Sequence, residues 1–455
     1  MGNVVIHPIL KEVAAIFTGV GKQAFLVGGA VRDLYLGKKA QDWDLATDAR
    51  PEEVTSLFRR VIPTGIKHGT VTVRYKGYSL EVTTFRTESS YSDGRRPDHI
   101  EYASTIEEDL SRRDLTMNAI ALALPGGERV DPFKGLEDIK ARLIRCVGNP
   151  EERFSEDGLR PLRALRLAAQ LGFTVDEATL AAIPGALPTT AKVSPERIRD
   201  ELDKTIGSPK PSAAFLPMEK TGLMGLVLPE LAACRGIDQK GFHRFDVLDH
   251  SLLACDYAAR EGFPQELRLA ALFHDIGKPA VRKPDESGVW TFYQHEKVSA
   301  YMARNIGLRF RYPNAVIDRM VHLIAEHMFH YEDAWTDAAV RRFIIRVGEE
   351  NLDDIYALRQ CDAYATTGIE PEPSILAPLV SRIDGILARG HSLSLKDLAI
   401  SGMDLIAMEI APGKRIGIIL GELLETVLDD PELNTREKLL EIAEKLNRRL
   451  VKKIL

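Results

Sequence analysis

Leu26-Val27-Gly28-Gly29-Ala30-Val31-Arg32-Asp33, followed after a short gap by Asp42-Trp43-Asp44, is the stretch on which the fold turns. Gln23 to Val27 reads as a buried strand, Gly28-Gly29 as a tight turn, and Ala30 to Tyr35 as the start of a helix. Glycines let backbone N–H groups approach a phosphate closely, and the helix N-terminus behind them favours negative charge. Gln41 to Ala46 is apolar and acidic by turns, which fits a second short strand. Side chains alternate across a strand, so Asp42 and Asp44 share a face. Two neighbouring carboxylates repel, and a hard divalent cation such as Mg²⁺ relieves the repulsion. A phosphate cradle beside a metal-binding carboxylate pair describes a phosphoryl-transfer site.

At 455 residues the chain exceeds one ordinary domain, and 45% hydrophobic content supports several cores and excludes global disorder. The net charge of −6 averages over the whole chain; Arg112-Arg113, Arg160 to Arg166 and Arg448 to Lys453 are locally basic. Cys146, Cys234, Cys255 and Cys361 are scattered without CxxC spacing, which suits a reducing compartment and excludes a zinc ribbon or disulfide frame. No charged-then-apolar leader opens the sequence and no uncharged run is long enough to span a bilayer. A cytoplasmic protein with no membrane partner is expected; its oligomeric state is not legible.

The fold class expected is α+β, an α/β head on an all-helical body. Gly69 to Tyr75 and Tyr78 to Arg86 alternate around Lys76-Gly77 as a hairpin, and Leu143 to Val147 supplies a last strand. From Pro150 onward helices follow one another: Ser155 to Leu171, Asp176 to Ile183, Pro195 to Ile206, Pro211 to Thr221 and Val247 to Glu261. The divisions expected are a head at 1–148, a helical neck at 149–240, a metal-binding helical domain at 241–370 and a helical tail at 371–455.

Three further runs carry chemistry. Ser111-Arg112-Arg113-Asp114-Leu115-Thr116-Met117-Asn118-Ala119-Ile120-Ala121 is helix-competent, and its Arg113 and Asn118 suit a triphosphate and a ribose, since arginine grips phosphate oxygens bidentately. Ser155-Glu156-Asp157-Gly158-Leu159-Arg160-Pro161-Leu162-Arg163-Ala164-Leu165-Arg166 spaces Asp157, Arg160, Arg163 and Arg166 every third residue, within reach of one another along a helix. Pro161 either bends that helix or sits in its first turn. Ser194-Pro195-Glu196-Arg197 opens another helix with a cap and a first-turn proline.

Together these motifs resemble the nucleotidyltransferase superfamily, specifically the class II tRNA nucleotidyltransferase and bacterial poly(A) polymerase branch. The resemblance implies a polymerase-beta-like head in which Gly29 and Arg32 hold the triphosphate while Asp42 and Asp44 bind the catalytic Mg²⁺ ions. It implies that Asp157 and Arg160 read the Watson–Crick edge of incoming CTP or ATP, with Arg163 and Arg166 near the triphosphate. Asp131-Pro132 with Gly135 matches a structural element, and the Ser194 run one that braces the nucleotide pocket. The polar segment Glu88 to Pro97 corresponds to a loop linked to the switch from CTP to ATP, and its full length favours addition of the terminal adenosine. The implied activity is untemplated addition of C, C and A to the tRNA 3′ end; addition of A alone and poly(A) synthesis are the near alternatives.

A second constellation lies downstream: Asp249-His250-Ser251, Leu272-Phe273-His274-Asp275-Ile276-Gly277-Lys278 and Cys361-Asp362. The adjacent His-Asp at the end of an apolar helix resembles the HD phosphohydrolase superfamily. The resemblance implies that His250, His274, Asp275 and Asp362 hold a divalent metal, with His295 and His327 where some HD proteins have further histidines. Imidazole with carboxylate suits Mn²⁺, Ni²⁺, Fe²⁺ or Mg²⁺, and a bound water becomes a hydrolytic nucleophile. Phosphatase or phosphodiesterase activity is implied beside the transferase. A different class, an HD nucleotide phosphohydrolase with a nucleotide-sensing head, is opposed by the intact Asp42 and Asp44, since a sensor needs no pair of catalytic metals.

Overall fold

The computed structural model describes residues 5–40, 42–89, 99–239, 243–372, 376–390 and 394–454. The chain divides into two units, one of Met1–Arg235, Ala259–Gln265 and Asn305–Tyr312, the other of Gly236–Ala258, Glu266–Arg304 and Pro313–Leu455.

The first unit opens with α1 (Pro8–Thr18), which starts at a first-turn proline and buries Ile9, Leu10, Val13, Ala14 and Phe17 along one face. The fully buried strand β1 (Ala24–Val27) leads through Gly28 into α2 (Gly29–Tyr35). Then come β2 (Trp43–Thr47), α3 (Pro51–Leu57), β3 (Val61–Gly65), β4 (Thr70–Tyr75) and β5 (Tyr78–Thr84). Lys76 and Gly77 both take positive φ, as the twist of a two-residue hairpin requires. The strands β6 (Arg86–Ser89) and β7 (His99–Tyr102) pair separately, and most of the Glu88 to Pro97 loop between them lies outside the described residues. After α4 (Ile106–Ser111) the chain forms β8 (Ala121–Ala123), β9 (Arg129–Val130) and α5 (Gly135–Ala141). The sheet order is β3-β4-β5-β2-β1-β8-β9; only β2 and β5 run parallel. Phe25, Val27, Ala46, Phe85, Ile106, Leu110, Ala119, Ala121 and Val147 form the core on one face.

Three local expectations give way. Only Trp43 onward belongs to β2, so Asp42 occupies the bend before it. The run from Ser111 to Ala121 is not a helix: α4 ends at Ser111, a single 3-10 turn spans Thr116–Asn118, and the chain then enters the sheet. Tertiary bonds hold that course, Thr116 N donating to Arg145 O at 2.9 Å and Thr116 Oγ1 to Asp138 at 2.6 Å. The expected strand at Leu143 to Val147 is only β10 (Leu143–Ile144), paired parallel with β11 (Thr174–Val175).

The helix expected over Ser155 to Leu171 is two, α6 (Pro150–Glu156) and α7 (Arg160–Leu171), with Pro161 in the first turn of the second. Asp157 is extended between them (φ −138°, ψ 112°). Gly158 is responsible. A Cβ there would lie 2.5 Å from the backbone of Thr189, and Thr190 Oγ1 donates to its carbonyl at 2.8 Å. The unit continues through α8 (Glu177–Ala181), α9 (Ile183–Thr190), α10 (Pro195–Ile206), α11 (Ser212–Lys220), α12 (Leu223–Val227) and α13 (Pro229–Ala232).

The second unit is built on α14 (Val247–Arg260), α15 (Gln265–Phe273), α16 (Lys278–Val281), the small ribbon of β12 (Lys283–Pro284) and β13 (Trp290–Thr291), α17 (His295–Arg309), α18 (Asn314–Glu326), α19 (Asp337–Val347), α20 (Leu352–Thr367) and α21 (Ala377–Ala388). Its last three helices, α22 (Gly402–Ala407), α23 (Lys414–Asp429) and α24 (Arg436–Ile454), enclose a core of their own around Leu405, Ile419, Leu423, Val427 and Leu439. Among the described residues no helix is long and apolar enough to cross a membrane.

Candidate active sites

Gly28 joins β1 to α2 at φ 73° and ψ −145°, a conformation open only to glycine. Asp44 pairs with Val27 across β1, so the turn lies against its carboxylate: a Cβ on Gly28 would stand 3.1 Å from Asp44 Oδ2 and 3.3 Å from Arg113 Nη1. On its other side Asp44 is in register with Glu81 of the parallel strand β5. Burial raises the Asp44 carboxyl above its ordinary range; Glu81 and Asp42 push the same way, and Arg113 opposes them. Three carboxylates meet here. Sequence reasoning missed Glu81, which becomes a neighbour only through strand pairing.

Arg32 Nη1 donates to Asn118 Oδ1 at 3.1 Å, and its Nε and Nη2 donate to Asp33. Asn118 Nδ2 in turn donates to Asp114 Oδ1 at 3.3 Å, and Arg163 grips Asp114 Oδ2 at 2.9 Å. Burial would raise the Asp114 carboxyl, but Arg163 and Arg160 outweigh it and hold the group well below the usual carboxylate range. Arg113 is paired with the buried Asp109 at 3.2 Å, alongside Arg112. The structure thus gathers Gly29, Arg32, Asp44, Arg113, Asn118 and Arg163 around the end of β1.

Asp157 and Arg160 frame the other end. Asp157 Oδ1 accepts from the Leu159 amide at 3.0 Å, and Oδ2 accepts from Arg197 Nη2 at 2.8 Å. Arg197 Nη1 is buried with no protein partner among the described residues. Arg160 donates to the carbonyls of Arg153 and Arg112 and pairs with Glu156. Arg166 is buried, its guanidinium bound by Glu201 at 2.6 Å and Gln170 at 2.7 Å. Arg197 and Glu201 both ride on α10, the helix opened by Ser194-Pro195.

In the second unit His250 of α14, His274 and Asp275 after α15, and Asp362 of α20 converge. His250 Nε2 lies 3.0 Å from His274 Nε2, 3.4 Å from Asp275 Oδ2 and 3.1 Å from Asp362 Oδ1. The two faces of Asp275 serve different groups: His295 Nε2 is 3.1 Å and His327 Nε2 3.9 Å from its Oδ1, while Lys278 Nζ is 2.6 Å from its Oδ2. His295 Nε2 and Asp275 Oδ1 are not aligned for a hydrogen bond, so buried lone-pair donors point together without satisfying one another. His274 Nδ1 and His327 Nδ1 each face a backbone carbonyl, Ala271 O and Ile324 O, which directs both Nε2 atoms into the cluster. Burial would lower the His274 pKa, but Asp275 and Asp362 lift it to about 10; burial and His274 drive His327 down to about 3. Buried imidazoles and carboxylates in this arrangement fit a divalent cation.

A mixed sheet presenting a glycine turn, clustered carboxylates and an arginine-rich helical neck defines a nucleotidyltransferase, here with an HD-type cluster downstream. Models of the Poly A polymerase head domain, of a probable RNA- and SrmB-binding site of polymerase A, and of the HD domain match residues 24–145, 172–235 and 243–386. The CCA-adding enzyme of Enterococcus faecalis is 33% identical over 444 residues, covering 96% of this chain and 95% of that one. That of Levilactobacillus brevis is 32% identical over 422 residues, covering 92% and 91%. The crystal structure of the Bacillus stearothermophilus CCA-adding enzyme in complex with CTP is 30% identical, with a TM-score of 0.70 over 98% of this chain and all of that one. The chain belongs to the family of CCA-adding enzymes.

Proposed function

We propose that the chain adds C, C and A in turn to the 3′ end of tRNA without a nucleic-acid template, using CTP and ATP. The observation that carries the chemistry is the register of Asp44 with Glu81 beside the Gly28 turn and Asp42. Three carboxylates, with Arg113 opposing them on Asp44, fit Mg²⁺, which when bound would activate the RNA 3′-hydroxyl and steady the leaving pyrophosphate. Asp42 and Asp44 would supply its ligands, with Glu81 as a third carboxylate. Gly29 lets the backbone approach the triphosphate, Arg32 and Arg113 bind its oxygens, and Asn118 meets the ribose. Asp157 accepts from the exocyclic amine shared by C and A, and Arg160 donates to the neighbouring ring acceptor. Arg163 serves the triphosphate from its hold on Asp114. Buried Arg166 braces α7 against α10.

In this reading residues 1–148 perform the transfer, 149–240 select the nucleotide and bind RNA, 241–370 form the HD domain and 371–455 add a helical tail. The test is incubation with tRNA lacking its terminal CCA and each labelled nucleotide alone or combined. Two cytidines from CTP alone, then one adenosine, support the reading. Adenosine only, or a growing adenosine run, replaces it with one of its near relatives.

For the second unit we propose hydrolysis of phosphate esters, with His250, His274, Asp275 and Asp362 holding one divalent cation. The observation favouring it is that every one of these donors, with His295 and His327, converges on Asp275 or on its His274 neighbour. Lys278, which closes the sequence motif three residues after Asp275, is buried with its ammonium on Asp275 and Gln239, and would hold the Asp275 carboxylate in place.

A further inference from the structure

Strand alternation sends Trp43 to the face of β2 opposite Asp44, and the pairing of Trp43 with Leu80 puts Tyr78 of β5 on that same reverse face. There the indole and the phenol stack at 5.2 Å with 27° between their planes. The His7 imidazole, held by capping the Ile9 amide, approaches Trp43 at 4.8 Å and Tyr78 at 5.6 Å. These three rings, with Leu10, Leu34 and Lys39, line a cavity of about 530 Å³. Tyr78 is 41% exposed, so the stack is not closed into the core.

We infer that this cavity is a second nucleotide site, taking a mononucleotide by its base among Trp43, Tyr78 and His7 with its phosphate toward Lys39. Half-exposed aromatic faces already stacked on one another are completed best by another flat heteroaromatic ring, which adds dispersion and offset stacking at little cost in ordering. The cavity lies in the size range of small-ligand sites, with room for a single nucleoside rather than a strand. An exposed ammonium at the rim complements a phosphate. The site lies outside the triphosphate and base-reading residues, and its test does not require the transferase reading to hold.

Trp290→Phe with Trp335→Phe leaves Trp43 as the sole indole of the chain. AMP titrated into this protein in EDTA should quench its emission saturably. The midpoint should stay within about twofold after Arg113→Ala, which alters the carboxylate face, and weaken about fivefold after Lys39→Ala, as for one exposed charge contact. Tyr78→Leu should abolish the quench while the thermal transition, followed by circular dichroism, persists. No saturable change up to millimolar AMP overturns the proposal. So does a quench lost with Arg113→Ala but unaffected by Lys39→Ala, which would report the carboxylate face instead.

Discussion

Arg197 Nη2 donates to Asp157 Oδ2 across 2.8 Å, tying α10 to the break between α6 and α7. The carboxylate proposed to read the base is thereby aimed by a residue of another helix. Asp157→Ala should relax base choice more than it weakens nucleotide binding, since UTP and GTP, which offer no amine at that edge, are no longer disfavoured against CTP and ATP for want of that hydrogen bond. The mismatch is worth about 1–3 kcal/mol, one to two decades of preference. Arg197→Ala should lower discrimination in the same direction by about tenfold, through lost aim. Addition of C, A, U and G by wild type and variants decides it; unchanged rejection of UTP and GTP in Asp157→Ala would show that another group reads the base.

Asp42→Ala and Asp44→Ala should each abolish nucleotide addition while phosphate-ester hydrolysis by the second unit continues. Glu81→Gln should lower addition by at least about a hundredfold, because Glu81 stands in register with Asp44 across the strand pair and would share its cation. Radiolabelled CTP incorporation measures all three. Retained incorporation in either aspartate variant would sink the carboxylate assignment.

His274→Ala combined with Asp275→Ala should remove phosphatase or phosphodiesterase activity on model esters and leave CCA addition running. Wild-type protein showing no ester hydrolysis with Ni²⁺, Mn²⁺ or Mg²⁺ would retire the hydrolase half of the proposal.

Cation uptake by the HD cluster should strengthen with pH. Without a cation, Asp275 and Asp362 hold His274 up at about 10 against the lowering effect of burial, so it carries a proton at neutrality. A ligating imidazole must be neutral, so binding expels that proton and apparent affinity climbs about tenfold per unit from pH 6 to 8. The sign reverses for the folding contribution of this pair. Raised above its unfolded value of 6.5, the group stabilises the fold fully below that value and stops doing so as pH rises through about 10. Calorimetry in buffers of different ionisation enthalpy should find about one proton released per cation. Zero release contradicts the assignment.

Gly158→Ala should destabilise the first unit by about 1–3 kcal/mol, because the added methyl meets the Thr189 backbone. Base discrimination should fall with it, since Asp157 is the preceding residue. Urea unfolding together with the UTP/CTP ratio checks both.

What was legible in the chain was local. Gly28-Gly29, the Asp-Trp-Asp spacing and the Lys76-Gly77 turn declare themselves within a few residues, and with the proline- and glycine-punctuated helices after Pro150 they gave the α+β architecture. Glu81 was illegible because only the parallel pairing of β2 with β5 brings it to Asp44. The break at Asp157 was half announced by Pro161, which was expected to bend the helix or sit in its first turn and does the latter. What interrupts the helix is the packing of Gly158 on Thr189, a contact from outside the segment. Thr116 likewise leaves the helical course for bonds to Arg145 and Asp138 that no local pattern announces. The tail after residue 370 carried no readable motif, yet it builds a separate core on ordinary amphipathic helices.

Around the proposed nucleotide site each of six guanidinium groups is already paired with an acid: Arg32 with Asp33, Arg113 with Asp109 (shared with Arg112), Arg160 with Glu156 (shared with Arg153), Arg163 with Asp114, Arg166 with Glu201, Arg197 with Asp157. A stray inorganic phosphate therefore meets guanidinium groups that are already ion-paired, and must compete with a carboxylate at each of them. A nucleoside triphosphate carries enough negative charge to contest several pairs at once. If these residues hold the triphosphate, the six acids would favour a polyanion over a small anion before any base is read.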